Sequence, residues 1–586
     1  MTIGVLSVSL QPFEDAAVSR AMLSLERQGF GESFRFDWND GRVRLHTDPR
    51  QPEAVHSMRS PAGVACCVGP LWYRGRFGEQ ALALLLEDVG VTGEADPRID
   101  ETELRGNFAL FLHVGGRTWL LNDSLGFVRV YGSADGRFHS TSWLATRAYV
   151  GDSDIEESAA IEYVLLGATH HDRTVARGVG KLPLGFGLDL HARRRWARFP
   201  DGIVPDTAGK PRYASIEAAV ESIGEQLRTS FREIAGAFPS RTSAALSGGF
   251  DSRLILAALL EQGERPRLFV YGDEQSEDVP IARAIAQGEG ISLNVVDKGA
   301  MNRGFAQPGL EDLMRNALFF DGLPNDGIDD PGADRQTRLE QSAGGFIALN
   351  GGGGEIFRNF FHLPDRRYRA RDIVHAFYRG FDAGVFRRAG GLQDYETGLA
   401  RSIARSAGLP DVDEAADLRL TREQVELVYP FFRCHHWMGL NNSLSVRYGY
   451  FATPLVDLTL VRQAAALPLA WKQAGRFESR LIAALHPGVA RHDSAYGFRF
   501  SDGPDARARR SEWLTGIRPV HVRPLINALR RRLHKERVSP QLVARCRAML
   551  PGEWRLDPLL DLDRLPADDA FERALSVEVV SRELSP

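Results

Sequence analysis

Residues 243–260 constrain this chain more than any other stretch. They read Ser-Ala-Ala-Leu-Ser-Gly-Gly-Phe-Asp-Ser-Arg-Leu-Ile-Leu-Ala-Ala-Leu-Leu. The first residues are small and apolar, as in a short buried strand. Ser247, Gly248 and Gly249 break the run, and Asp251-Ser252 leads into an apolar segment of helical period. Strand, glycine turn and helix start in succession make an anion site. Glycines let backbone N–H groups approach a ligand closely, and the helix N-terminus adds about half a positive charge. The loop is not a Walker A motif, which needs G-x-x-x-x-G-K-[ST].

The surrounding residues predict how that loop is framed. Ser215 to about Phe238 reads as a helix, Pro266–Gly272 as a buried strand, Val279–Gln287 as a helix and Ile291–Val296 as the next strand. Such alternation implies a parallel sheet that binds ligand at the carboxyl ends of its strands, where Gly249 and Gly272 fall. A second glycine cluster, Ile347-Ala-Leu-Asn-Gly-Gly-Gly-Gly-Glu-Ile-Phe357, repeats the pattern of apolar strand, turn and helix start. Between them, 319–330 is an irregular acidic loop with Asp321, Asp326, Asp329 and Asp330. It reads equally as a solvated turn or as the rim of a substrate entrance.

At 586 residues the chain is too long for one core. Residues 1–205 alternate short apolar runs with Gly, Asn and Asp turns, which predicts a largely β domain with some helix. Strand candidates there are 104–112, 117–123, 124–131 and 137–142. Residues 200–215, with Pro200, Pro205, Gly209 and Pro211, read as a linker. The net charge of −4 argues against general affinity for nucleic acid or an anionic membrane. No apolar run approaches the roughly 18 residues of a membrane span, and the N-terminus lacks a basic segment followed by an apolar one, so a cytoplasmic location is expected. Cys66-Cys67 reads as strand core, and the pairs His170-His171 and His435-His436 diverge on either a strand or a helix, which disfavours a metal site. Residues 504–586 combine an Arg-rich stretch with a Leu-rich acidic tail, read as a solvated face or, more sharply, as a docking surface for an acidic partner.

Ser247-Gly-Gly-x-Asp-Ser252 resembles the pyrophosphate loop of ATP pyrophosphatases, and further segments resemble asparagine synthetases. Leu104-Arg-Gly-x-Phe-Ala109, Asp123-x-Leu-Gly126 and Lys181-Leu-Pro-x-Gly185 are similar to the end of that family's glutaminase domain. Thr453-Pro454 with Asp457, and Leu467-Pro468 to Lys472, match beyond the second glycine cluster. The implied fold class is α/β. A degenerate Ntn-glutaminase-like α+β sandwich at 1–205 precedes a doubly wound parallel-sheet ATP-pyrophosphatase synthetase domain at 206–503, with a helical extension at 504–586. The resemblance places ATP on Leu246, Ser247, Gly248, Gly249, Asp251, Ser252, the strand end Val270-Tyr271-Gly272, and Gly351-Gly352. It places Mg2+ on Asp251 and Glu355.

Several departures from the family carry expectations of their own. Residue 2 is Thr where the glutaminase nucleophile is Cys, and the glutamine-binding run has no counterpart, so the first domain is expected to be a scaffold. The family's catalytic Glu in the second glycine loop is replaced by Gly352. Four glycines there are expected to leave the surface open for a bulky acyl group. The family's lysine in Arg-x-Lys-x-Gly-Phe is missing from Ser494-Ala-Tyr-Gly-Phe498, so Arg499 or Arg476 is expected to supply the cation.

Asp321-Gly-Leu-Pro-Asn-Asp-Gly327 and Ser494-Ala-Tyr-Gly497 most resemble the lasso-peptide macrolactam cyclases within this family. The resemblance implies an ATP-dependent ligase that adenylates an Asp or Glu side chain of a precursor peptide and joins it to the peptide's own α-amine. It implies as partners that precursor and a leader-peptide protease or recognition protein, with no nucleic acid and no membrane. An asparagine synthetase-like amidotransferase or β-lactam synthetase acting on a small acid is the alternative, and a binding protein built on an inactive synthetase is a third reading.

Overall fold

The computed structural model describes residues 3–11, 15–49, 56–92, 96–151, 154–200, 202–204, 213–378, 381, 383–409, 412–534 and 537–584. Thr2 and most of the expected linker lie outside these residues.

Period-2 apolar patterning in the first two hundred residues produces two six-stranded antiparallel sheets. One runs Val179–Lys181, Tyr131–Ser133, Phe138–Ser140, Val5–Leu10, Gly41–Thr47, Gly31–Trp38. The other runs Arg194–Ala197, Phe186–Asp189, Arg117–Asn122, Ala109–Val114, Gly63–Val68, Ser57–Ser60. Leu6, Val8, Val43 and Leu45 of the first share a core with Cys66, Val68, Ala109, Phe111 and Leu120 of the second. Helices Ala16–Arg27 and Trp143–Val150 cover the outer face of the first sheet, and Glu79–Thr92 covers the second.

Two of the expected strands are altered by local chemistry. The 104–112 run divides into Leu104–Gly106 and Ala109–Val114. Gly106 has φ +108, and a Cβ there would stand 2.0 Å from the Pro70 carbonyl oxygen. Residues 124–130 are a turn instead of a strand. The buried Asp123 carboxylate accepts the N–H groups of Leu125, Phe127 and Val128 at 2.9–3.3 Å, which competes with ladder pairing.

A five-stranded parallel sheet follows, in the order Leu293–Val296, Arg267–Tyr271, Thr242–Ala245, Ile347–Leu349, Tyr450–Ala452. Numbered along the chain this is 3-2-1-4-5, so the direction of winding reverses between Thr242–Ala245 and Ile347–Leu349. Helices Ile216–Ala237, Phe250–Glu261 and Asp278–Gly288 stand where the sequence periodicity puts them. Ser215 caps the first through the Ala218 N–H.

The parts are tied by buried polar contacts. Arg129 donates to the carbonyls of His435 and His436, and the Thr453 N–H donates to Asn107 Oδ1 at 2.7 Å. Most of the 319–330 loop is tied into the structure and is not a solvated turn, though Asp326 is exposed. Asp321 is buried against Arg447 at 2.8 Å and accepts from Ser142 Oγ and the Trp143 N–H, while Asp330 caps helix Ala333–Ser342. The final helix, Asp568–Arg582, returns to this loop, where Arg573 donates to the carbonyls of Val164 and Asn325. Among the described residues no helix is long and apolar enough to cross a membrane.

Candidate active site

The strand order reverses between Thr242–Ala245 and Ile347–Leu349, and the carboxyl ends of strands at such a switch point are where open parallel sheets bind ligands. Both glycine loops emerge there. Strand Arg267–Tyr271 ends beside the first loop, with the Leu246 N–H donating to the Phe269 carbonyl at 2.8 Å. Val270 is buried, Tyr271 has the Lys298 ammonium 4.6 Å above its ring, and Gly272 turns away with φ +142.

The first loop is held open by its own hydroxyls. Ser252 Oγ accepts the Ser247 N–H at 3.0 Å, and Ser247 Oγ accepts that of Gly249 at 3.2 Å. The Gly248 N–H donates to Asp278 Oδ1 at 2.7 Å, so this cradle already holds anionic oxygen. No side chain caps helix Phe250–Glu261, whose N-terminus lies at this end of the sheet. The segment Ser494-Ala-Tyr-Gly497 closes over the same loop. The Ala495 N–H donates to the Gly248 carbonyl at 3.1 Å, and the Tyr496 ring packs on Phe250 at 4.6 Å. Arg253, fully buried, fixes that segment through the carbonyls of His492 and Asp493.

Asp251 and Glu355, expected from the sequence to hold a metal, converge on one guanidinium. Arg358 Nη2 lies 2.8 Å from both Asp251 carboxylate oxygens and 3.6 Å from Glu355 Oε1. Its Nε is 3.1 Å from Glu478 Oε2, and its Nη1 donates to Tyr496 Oη at 3.1 Å. Tyr429 donates to Glu355 Oε2, which also accepts the Gly353 N–H. Burial raises the Asp251 carboxyl to about 6, against the pull of Arg358. Glu478 is wholly buried, and burial pushes its carboxyl well above the usual range. It stands beside Asp251, and burial and the neighbouring carboxyl disfavour the charge of each.

The second glycine loop is packed, contrary to the open surface expected of it. A Cβ on Gly351 would meet the Ser252 backbone at 3.1 Å, on Gly352 the Met438 methyl at 2.7 Å, and on Gly353 the Val456 methyl at 1.9 Å. On Gly354 it would meet Asp251 Oδ1 at 2.3 Å. These glycines let the loop lie against Asp251, the helix start and the residues behind, and Gly353 also needs its φ of +98.

The two cations expected from the sequence are both exposed. Arg499 is exposed and pairs with Asp493 at 2.9 Å, and Arg476 is exposed at the start of helix Arg476–Leu485. Lys472 is buried against Glu426, and Asp457 caps helix Leu458–Ala465 while lying 3.6 Å from Arg105. Arg358, Glu478, Asp278 and Tyr429 are site residues that the sequence reading missed. For Arg358 a signal existed: it follows Glu355 by three residues across a short 3-10 turn, Gly354–Phe357. Glu478 carries no local signal, and only the folded chain brings it beside Asp251 and Arg358. No family model and no curated protein matches this sequence.

Proposed function

We propose that the protein is an ATP-dependent ligase that adenylates a side-chain carboxylate of a peptide and closes it onto the peptide's α-amine, as lasso-peptide macrolactam cyclases do. The observation that carries this reading is the meeting of Asp251 and Glu355, from the two glycine loops, where the strand order reverses. The Ser247–Ser252 loop and the uncapped helix behind it would grip the β- and γ-phosphates that leave as pyrophosphate. The two-sheet first domain then corresponds to an Ntn-glutaminase-like scaffold and the parallel sheet to an ATP-pyrophosphatase core.

The donors fit magnesium. A hard divalent cation takes one or two carboxylates plus phosphate oxygens, and a guanidinium now stands between the two carboxylates that would hold it. Bound there, the metal would neutralise phosphate charge. Arg358, released from Asp251, would offer its planar donors to the phosphates, the role expected of the missing lysine. Tyr429 and the Gly353 N–H would keep Glu355 in place. A carboxylate is a poor electrophile, and transfer of AMP converts it into an acyl group with a good leaving group. Holding the amine beside that acyl-adenylate replaces a bimolecular encounter, worth up to ~7–11 kcal/mol.

Exchange of labelled pyrophosphate into ATP tests this reading, with peptides bearing a free N-terminus and an internal Asp or Glu. Exchange is expected with a subset of such peptides, together with a product lighter by one water. Asp251→Asn should reduce it at least ~100-fold while leaving the thermal transition in place. Exchange undiminished in that variant, or absent with every peptide offered, overturns the assignment.

A further inference from the structure

Five of the eleven large apolar side chains left exposed among the described residues fall within 513–529: Trp513, Leu514, Ile517, Leu525 and Leu529. Leu525 is 67% exposed and Trp513 62%. They lie on two consecutive helices, Ala506–Gly516 and Arg523–His534, or just after the first. Arg523 binds these together by donating to the carbonyls of Thr515, Phe361 and His362. The same stretch is the most basic in the chain. Residues 505–537 hold ten Arg or Lys against three Asp or Glu, in a protein of net charge −4. Arg507, Arg509, Arg510 and Arg518 are exposed, and none of them forms an ion pair with the described residues.

This face runs into the candidate active site. Helix Arg523–His534 packs on Val374–Tyr378, which carries the exposed Phe377. From there the rings step inward, Phe377 to Phe360 at 4.8 Å and Phe360 to Tyr429 at 4.3 Å, and Tyr429 donates to Glu355. Phe360 itself follows Arg358 by two residues. On the opposite flank, Glu512 of helix Ala506–Gly516 accepts the Ala474 N–H, just before the helix that brings in Glu478. An exposed apolar patch of this kind marks an interaction site.

We propose that this basic, apolar face binds an acidic, apolar segment of the peptide substrate, apart from the carboxyl that is activated. Leu and aromatic side chains of that segment would cover Trp513, Ile517, Leu525 and Leu529, and its carboxylates would meet the arginines. The packed rings Phe377, Phe360 and Tyr429 connect this face to Glu355. That the segment belongs to the substrate rests on the ligase reading above; the surface and the chemistry it selects do not. A basic amphipathic helix also suits an anionic bilayer. The peptide is favoured because the face adjoins the candidate site, its helices holding the Phe361 and His362 carbonyls and the Ala474 N–H on either side of Arg358 and Glu478, and a substrate segment bound there lies next to that site.

Fluorescence anisotropy with the full-length protein decides it. The probes are a fluorescein-labelled synthetic peptide of alternating Glu and Leu/Phe pairs, the same peptide with Lys for Glu, and phosphatidylcholine vesicles containing phosphatidylglycerol. The Glu peptide should bind, and its affinity should fall between about 50 and 300 mM salt. Leu525→Glu/Leu529→Glu and Arg509→Glu/Arg510→Glu should each weaken it about tenfold or more, with unchanged melting as the folding control. Equal binding of the Lys peptide, full binding by both variants, or binding of vesicles alone overturns the proposal. Pyrophosphate exchange separates the two failures. Peptide binding without exchange on any peptide leaves the surface standing and sinks the ligase, whereas exchange without peptide binding does the reverse.

Discussion

Arg358 shows how one buried cation organises three carboxyl groups of different character. Asp251 is paired, Glu355 is steered by Tyr429, and burial pushes the Glu478 carboxyl well above the usual range. If Arg358 serves the phosphates, Arg358→Gln should lower pyrophosphate exchange ~100-fold or more. Arg476→Ala and Arg499→Ala, measured alongside, decide between the candidates, because a comparable loss at either would return the role to it. A different residue governs acid stability. His435 is buried with Nδ1 2.8 Å from the Leu125 carbonyl, and burial depresses its imidazole to about 3. The unfolded chain then takes up a proton below about pH 6.5 that the folded one refuses, so this histidine's contribution to stability falls as the pH drops from there toward 3. Denaturant titrations of wild type and His435→Gln should diverge by up to ~1.4 kcal/mol per pH unit across that window. A gap that stays constant with pH refutes the assignment.

Among elements, the two glycine loops differ in what their glycines do. Gly248 brings its N–H to the Asp278 carboxylate and Gly249 starts a helix without a side-chain cap, in a strand–turn–helix order legible from the sequence alone. Gly351 to Gly354 let one loop pack on another, which depends on Met438, Val456 and Asp251, all distant in sequence. Gly353→Ala, with both a clash and a left-handed φ, should cost roughly 2–4 kcal/mol. Gly390→Ala, at φ +82 with open space around it, should cost only about 1 kcal/mol. Chemical denaturation compares them, and equal losses would mean that packing contributes nothing at the second loop. The 124–130 turn teaches a related lesson. Its apolar residues read as a strand, but one buried carboxylate claims three of the amides a strand would need.

Across the whole molecule, the last helix completes a core shared with the first half. Phe571, Leu575, Val577, Val579 and Val580 of Asp568–Arg582 are buried, each contributing about 1.5–3 kcal/mol. Against a net stability of about 5–15 kcal/mol, losing them is decisive. A chain ending at Pro566 should therefore be cut rapidly at sites throughout residues 1–330 under limited proteolysis. Protection equal to that of the intact chain would show the tail to be dispensable.

Local order was legible because it is written in neighbouring residues: apolar period gave the helices at 216–237, 250–261 and 278–288, and two glycine clusters after apolar runs marked both strand ends at the switch point. The acidic loop at 319–330, the packed glycines and the cation of the site were not, because their partners lie tens to hundreds of residues away. Asp321 meets Arg447 and Ser142, and Glu478 meets Asp251 and Arg358, only once the sheets are stacked. Sequence by itself determined where glycine turns close two neighbouring strands and where the helix after the first begins. Tertiary structure decided which charges face them, since a buried carboxyl takes its protonation and partner from desolvation and long-range contacts that no local pattern records.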